Sequence, residues 1–217
     1  MHEGNGLPDH LKRLAKSSTI YGLGNLLPKA IGLILIPIYT RYLTPQDYGI
    51  LAMVTVIHSV LLLLFDMGFS TSTLRFYFDF KEGPDLKRYL GTVTVFLLGF
   101  NLVFLVLLQS FGEPIFSFII KDKSLSFSPY IKLGIYTAYF SLGSVIPLAL
   151  FRVREQAAKY ISFTTATFLL TTIAIIYFVV IARQGALGSL KGRLFVTMGF
   201  FAVYLWIMLR QSTLSID

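Results

Sequence analysis

The chain contains no cysteine and only three histidines. Without cysteine it can form neither a disulfide framework nor a thiolate metal site. The histidines, His2, His10 and His58, do not have metal-ligand spacing, and the first two lie in the N-terminal tail. The sequence also lacks a nucleophile elbow, a Walker A sequence and a complete dinucleotide fingerprint. We therefore expect a protein that is not an enzyme and that holds no metal or other cofactor.

Charge is also scarce. Charged residues make up 14% of the chain and hydrophobic residues 55%, with a mean hydropathy of +0.70, whereas a soluble domain is about 25% charged. Uncharged runs of 16 to 24 residues recur, with the charges collected between them. Runs of this length can cross a bilayer core of about 30 Å. The sequence therefore predicts an all-α integral membrane protein, in which the net charge of +8 marks topology and no nucleic acid is bound.

The uncharged runs predict a lobe of six transmembrane helices over residues 17–210, between a basic tail (1–16) and a short C-terminal tail (211–217). The sixth span is the weakest, because only 16 residues separate Arg193 from Arg210. It can begin near Leu187 if Lys191 and Arg193 extend to the interface, and five spans is the alternative count. A basic loop is expected over residues 67–88. The predicted spans are about 17–40, 48–69, 89–112, 133–151, 160–182 and 187–209.

The distribution of positive charge predicts the orientation. With the N-terminus inside, 11 of the 19 Lys and Arg residues lie on the cytoplasmic side and 7 on the other, and Lys29 lies within the first span. Cytoplasmic loops of membrane proteins carry an excess of these residues. We therefore expect a multi-pass protein with both termini in the cytoplasm.

The first span has an unusual charge. Lys29 is the only charged residue among the 24 between Lys16 and Arg41. A lysine at this depth costs about 2.5–3.5 kcal/mol, so it normally faces a protein interior or an aqueous cavity. Small and polar residues, Asn25 among them, recur on the face that carries Lys29. Lys29 and Asn25 are therefore predicted to line a cavity.

Two further spans carry polar stripes that have two interpretations. In the second span Thr55, His58, Ser59 and Asp66 share one side, and His58 and Asp66 are candidates for proton coupling. The alternatives are a histidine that is simply hydrogen-bonded and an aspartate that is simply interfacial. In the fourth span the stripe of small residues either lines a polar path or packs against another helix, and we favour packing. The stripe consists of Gly134, Thr137, Ser141 and Ser144.

Three stretches carry a resemblance to a known family. They are IPIYTRYLTPQDYGILA (residues 36–52), FDMGFSTSTLRFY (65–77) and GALGSL (185–190). Together they are similar to the polysaccharide transporter family, the lipid-linked oligosaccharide flippases related to O-antigen exporters within the oligosaccharidyl-lipid exporter superfamily. Such transporters have two six-helix lobes, and this sequence resembles the amino-terminal lobe. The resemblance implies either a truncated member or a half that assembles with a second half or with its own copy.

The resemblance also implies a function. A polyprenyl-pyrophosphate-linked oligosaccharide would place its anionic head in a cationic cavity, and lobe rocking would carry the head across a bacterial or archaeal inner membrane. Such export would serve cell-surface polysaccharides such as lipopolysaccharide. Lys29 is expected to contact the pyrophosphate, with Arg41 and Arg75 near the two openings and Asn25 and Asp66 in the cavity. The alternatives are a membrane scaffold or inactive fragment of an export locus, and half of a multidrug-type exporter.

Overall fold

The computed structural model describes residues 36–37, 39–80, 83–119 and 126–211. In these ranges the backbone is helical almost throughout, and no strand occurs. Five segments are long and apolar enough to cross a membrane: Pro45–Phe76, Pro84–Phe118, Phe127–Val153, Ala157–Ile181 and Gly185–Gln211. The all-α membrane fold is thus confirmed, and five of the six predicted spans are found. Most of the predicted first span, residues 17–40, lies outside the described residues.

The α-helices are named in chain order. They are α1 (Pro45–Asp66), α2 (Phe69–Phe76), α3 (Pro84–Ile119), α4 (Lys132–Ser141), α5 (Val145–Val153), α6 (Ala157–Ile176) and α7 (Gly185–Gln211). A kinked turn over Phe127–Ile131, in which Ser128 is extended (φ −106°, ψ 127°), leads into α4. A 3₁₀ turn over Leu142–Ser144 joins α4 to α5, so these pieces form one span. A π-helical turn, Tyr177–Ile181, ends the span that begins with α6.

The basic loop expected over residues 67–88 is largely helical, which corrects the prediction. Met67 (φ 46°) and Gly68 (φ 80°) turn the chain in the left-handed region, and α2 begins directly afterwards. The next helix, α3, begins at Pro84, well before the predicted span at residue 89. Charged residues mark where a segment leaves the hydrocarbon, but they do not end a helix. The loop was therefore predicted too long.

Contacts between distant segments define the two ends of the bundle. At the end where α1 and α7 begin, Asp47 Oδ1 accepts a hydrogen bond from Ala186 N at 2.9 Å. At the opposite end, Arg154 donates to Gln211 Oε1 at 2.9 Å and to Tyr77 Oη at 3.4 Å. We call these the first end and the second end. Successive spans therefore run in alternating directions, as a multi-pass membrane protein requires.

The span Phe127–Val153 forms the centre of the bundle. Of its most apolar stretch 61% is buried, compared with 11 to 39% in the other four spans. Ile135 and Ala138 are fully buried within it. Gly134 allows α1 to approach closely, because a Cβ there would lie 2.7 Å from Val54 Cγ1. The packing function favoured for this stripe is therefore present at Gly134.

Helices α6 and α7 approach each other through glycines four residues apart. A Cβ at Gly188 would lie 2.8 Å from the Phe178 carbonyl oxygen, and one at Gly192 would lie 3.0 Å from the Ala174 carbonyl carbon. Small residues at this spacing let two membrane helices come into backbone contact. Since backbone atoms cannot move aside as a flexible side chain can, this contact fixes the position of α7, which carries Arg193.

Candidate functional site

A polar cavity lies inside the bundle among α1, α4, α6 and α7. It encloses about 160 Å³, and we call it the chamber. Its wall contains one basic side chain, one imidazole and five hydroxyl groups, which is an unusual set for the interior of an apolar bundle. The lining residues are Val54, Thr55, His58, Gly134, Thr137, Ser141, Thr171, Leu190, Arg193 and Thr197.

Arg193 supplies the positive charge of the chamber. It lies eight residues after the start of α7, about 12 Å along the helix axis. Tyr39 and His58 are both within electrostatic reach of its guanidinium. Among the described residues no carboxylate pairs with it. A guanidinium without a carboxylate partner in an apolar bundle is suited to bind an anion that enters from outside.

His58 faces the same space from α1. Its Nε2 atom is buried and has no hydrogen-bond partner among the residues that the structure describes. Buried polar atoms are usually hydrogen-bonded, so an unpartnered one next to a cavity indicates a position for a ligand or a water molecule. Of the predicted site residues that lie within the described ranges, His58 alone lines the chamber.

Four of the five hydroxyl groups of the chamber act as hydrogen-bond donors to the backbone of their own helix. Each of the four donates its proton to a backbone carbonyl one turn earlier, at 2.7 to 2.8 Å. A hydroxyl that has donated its proton still has free lone pairs. These groups therefore offer acceptors to the chamber, whereas Arg193 offers donors. The four hydroxyl groups belong to Thr55, Thr137, Ser141 and Thr197.

A larger cavity, which we call the groove, lies next to the chamber. The groove encloses about 340 Å³ between the α4–α5 span, α6 and α7, and it shares Ser141, Thr171 and Thr197 with the chamber. Its hydroxyl groups follow the same rule, since Ser144, Thr164 and Thr167 also donate to backbone carbonyls. Five aromatic side chains complete the wall: Phe140, Phe168, Phe200, Phe201 and Tyr204. Such a surface suits a ligand that combines hydroxyl donors with apolar C–H faces.

The other predicted site residues lie elsewhere. Lys29 and Asn25 are outside the described residues. Arg41 is exposed at the first end. Arg75 is exposed on α2 near the second end, with its guanidinium 6.0 Å from the Phe76 ring centre. Neither of these arginines lines the chamber or the groove.

Asp66 has a local structural role. Its carboxylate accepts hydrogen bonds from Ser70 N at 3.1 Å and Ser70 Oγ at 2.7 Å, across the turn between α1 and α2. Nearby, the buried side chain of Asn101 donates from Nδ2 to the Phe65 carbonyl at 3.0 Å and to the Leu97 carbonyl at 2.8 Å. The bonds to Ser70 N and to the Phe65 carbonyl satisfy backbone groups next to the turn. Proton coupling by Asp66 stays a prediction.

Two of the family-like stretches meet at the first end. Asp47 belongs to the first stretch, and its carboxylate accepts from Thr44 N at 2.9 Å and from Thr44 Oγ1 at 2.8 Å. Its other oxygen accepts from Ala186, in GALGSL. Gly185 has φ +57°, and a Cβ there would lie 2.8 Å from Asp47 Oδ1. We call this arrangement the Asp47 clamp. The clamp gives a physical reason for Thr44 and Asp47 in the first stretch and for Gly185 in the other.

Sequence reasoning missed Arg193 because it assigned this side chain to the interface. The available signal was the length of the last apolar run, which is too short to span a bilayer alone. The span must therefore include Arg193, as α7 does. Lys191 does extend toward the first end, where its Nζ donates to Gln184 Oε1 at 3.2 Å.

The described residues contain no group of three His, Asp or Glu residues able to hold a metal ion.

Comparison with curated proteins and comparison with solved structures gave no significant match. The family model described as polysaccharide biosynthesis protein matches residues 14–212. This range includes all three stretches that carried the resemblance and all five spans of the structure. The chain therefore belongs to the polysaccharide biosynthesis protein family, a family of transporter-like membrane proteins with a role in polysaccharide biosynthesis and export.

Proposed function

We propose that this chain takes part in moving a polyprenyl-pyrophosphate-linked oligosaccharide across the membrane. The observation that carries the proposal is that two cavities lie side by side and share lining residues: a chamber with an arginine that no described carboxylate neutralises, and a groove with hydroxyl acceptors and aromatic faces. The proposed ligand has two matching parts in the same order: a diphosphate, which would bind in the chamber, followed by sugars, which would bind in the groove.

The anionic part of the ligand matches the chamber. A guanidinium can donate two parallel hydrogen bonds to phosphate oxygens, and such bonds are stronger in an apolar surrounding than in water. Arg193 carries this charge in the described part of the chain. We propose that Lys29 and Asn25 of the first span also line this site and that His58 donates to or accepts from the ligand through Nε2. Arg41 and Arg75 would attract the head near the two openings.

The glycan part of the ligand matches the groove. Sugar hydroxyls are hydrogen-bond donors, and the groove offers serine and threonine oxygens whose own protons are already donated. The C–H faces of a sugar ring pack on the negative faces of aromatic rings, such as Phe201 and Tyr204. From Arg193 to Tyr204 the chamber and the groove together follow α7 for about 16 Å. A diphosphate and a short glycan can therefore bind side by side along one helix.

Transport would follow from alternating access. The lobe would rock against a second six-helix half or a second copy of the chain, while the polyprenyl tail stays in the bilayer. We propose that both termini are cytoplasmic and that the membrane is the cell inner membrane, as the charge distribution and the family favour.

Binding of labelled ligand to the full chain tests this proposal. The protein is reconstituted in nanodiscs and titrated with a fluorescent polyprenyl-pyrophosphate disaccharide. Arg193→Gln should weaken binding roughly tenfold or more, because charge-assisted hydrogen bonds contribute about 1.5–3 kcal/mol. The matched control is Arg183→Gln, which removes the same charge from an exposed residue outside both cavities and should leave affinity unchanged.

The same titration separates the alternatives. Equal affinity of the Arg193→Gln variant and the unchanged protein would contradict the assignment of the chamber. Binding of a cationic aromatic dye in place of the glycolipid would favour a multidrug-type exporter, because the groove is rich in phenylalanine. Binding of neither would favour a scaffold. A liposome assay for transbilayer movement of the glycolipid then distinguishes binding from transport.

A further inference from the structure

A second polar cavity lies at the second end, remote from the chamber. It encloses about 400 Å³ between the start of α3, the end of α5 and the end of α7, and we call it the basic pocket. Lys87, Arg154 and Arg210 line it, together with Leu86 and Leu90. We propose that the basic pocket binds the phosphate headgroup of an anionic phospholipid.

The positive charge of the basic pocket is not neutralised by the described residues. Arg154 is held by neutral groups, since it donates to Gln211 Oε1 at 2.9 Å and to Tyr77 Oη at 3.4 Å. Arg210 stacks on Trp206, with its guanidinium 3.9 Å from the ring centre. Within the described ranges neither Asp85 nor Glu155 pairs with any of the three cations, and Glu82 lies outside those ranges. Three cations in one pocket, two of them arginines suited to bidentate contact, match a phosphate oxyanion.

The depth of the basic pocket favours a lipid over a soluble anion. Three membrane segments end beside it, at Pro84, Val153 and Gln211, which places its cations at the level of lipid headgroups. Trp206 is exposed next to Arg210, and tryptophan is typical of this interfacial layer. The wall below the cations is closed by Leu86 and Leu90, which are almost fully buried. A lipid suits this depth, because its phosphate can bind the cations while its acyl chains stay in the surrounding bilayer.

This inference is independent of the proposed transport function. The basic pocket shares no lining residue with the chamber or the groove. Arg193→Gln should therefore leave phospholipid binding unchanged, and failure of one proposal leaves the other standing.

The test uses the full chain in phosphatidylcholine nanodiscs, with bound phosphatidylglycerol measured by native mass spectrometry. The variant is Lys87→Gln with Arg210→Gln, since both residues are exposed and the bonds to Gln211 and Tyr77 that join the helices come from Arg154. Phosphatidylglycerol affinity should fall about 25-fold, at about fivefold for each cation. The control is Arg152→Gln with Lys159→Gln, which removes two charges at the same end but outside the basic pocket. It should change affinity less than about twofold.

Each other outcome has a defined meaning. Lys87→Arg with Arg210→Lys keeps the charges and should retain phosphatidylglycerol binding, which excludes a folding defect as the cause of the loss. Equal losses in the variant and the control would overturn the proposal, because they would indicate diffuse attraction rather than a site. Competition by soluble glycerol phosphate as strong as that by the lipid would assign the basic pocket to a free anion and overturn the lipid assignment.

Discussion

The two ends of the bundle are held together by different chemistry. At the first end one carboxylate, Asp47, accepts hydrogen bonds from the start of α1 and from the start of α7, 139 residues away. At the second end a guanidinium, Arg154, donates to two neutral side chains and keeps its charge. Backbone groups are fixed by the fold, whereas side chains can exchange partners. The first end is therefore held through backbone groups, whereas the second end carries the site proposed to bind an anion.

The packing of α6 against α7 also differs between the two ends. Gly185, Gly192 and Gly199 are seven residues apart, so they lie on nearly the same face of α7. A Cβ would meet Asp47 at Gly185 and the backbone of α6 at Gly192, but nothing within 4 Å at Gly199. The two helices thus separate as they leave the first end. Gly199 lies beside a cavity of about 680 Å³ between the two helices, so this cavity opens where they separate.

The largest expected effect comes from breaking the Asp47 clamp. Asp47→Ala removes the N3 carboxylate of the capping box that begins α1 and leaves Ala186 N without its acceptor, so we expect a loss of about 2–3 kcal/mol in the free energy of unfolding. Gly185→Ala should also destabilise, because its φ is +57° and its Cβ would contact Asp47. Unfolding of the purified protein by a denaturing detergent, followed by circular dichroism, measures both.

A double mutant sharpens this test. In the Asp47→Ala background, the methyl group of Gly185→Ala no longer meets the carboxylate. The double variant should therefore lose less stability than the sum of the two single losses. Gln46→Ala, one residue away and exposed, is the control and should change stability by less than about 0.5 kcal/mol. Full additivity would show that the two residues act separately and that the first end has no clamp.

A smaller effect is expected where α6 and α7 touch. Gly192→Ala should cost about 1–3 kcal/mol, because the new methyl group would lie 3.0 Å from backbone atoms of α6. Gly199→Ala adds the same methyl group where nothing lies within 4 Å, and alanine is the better helix former by about 1 kcal/mol. The same unfolding assay should therefore give opposite signs for the two variants. Equal destabilisation would mean that the helices do not diverge.

Composition and periodicity were sufficient to predict the five spans that the structure describes, because the hydrophobic thickness of a bilayer sets their length whatever their partners. They could not predict the Asp47 clamp, because a hydrogen bond over 139 residues depends on which helix starts lie side by side. Arg193 was assigned to the interface for a related reason. Whether a cation one or two turns into a span extends outward or inward depends on the neighbouring helices, here α1 with His58.

The smallest expected effect concerns the second end. Arg154→Gln removes the bonds to Tyr77 and Gln211, but both partners can turn to water at the membrane surface, so we expect a loss of only about 0.5–1 kcal/mol in the free energy of unfolding. The unfolding assay described for Asp47 measures it, with Arg152→Gln as the control at the same end. A loss as large as that of Asp47→Ala would show that the second end is also clamped. In that case the anion-binding freedom inferred for Arg154 would be restricted, because its guanidinium would be committed to holding α5 and α7 together.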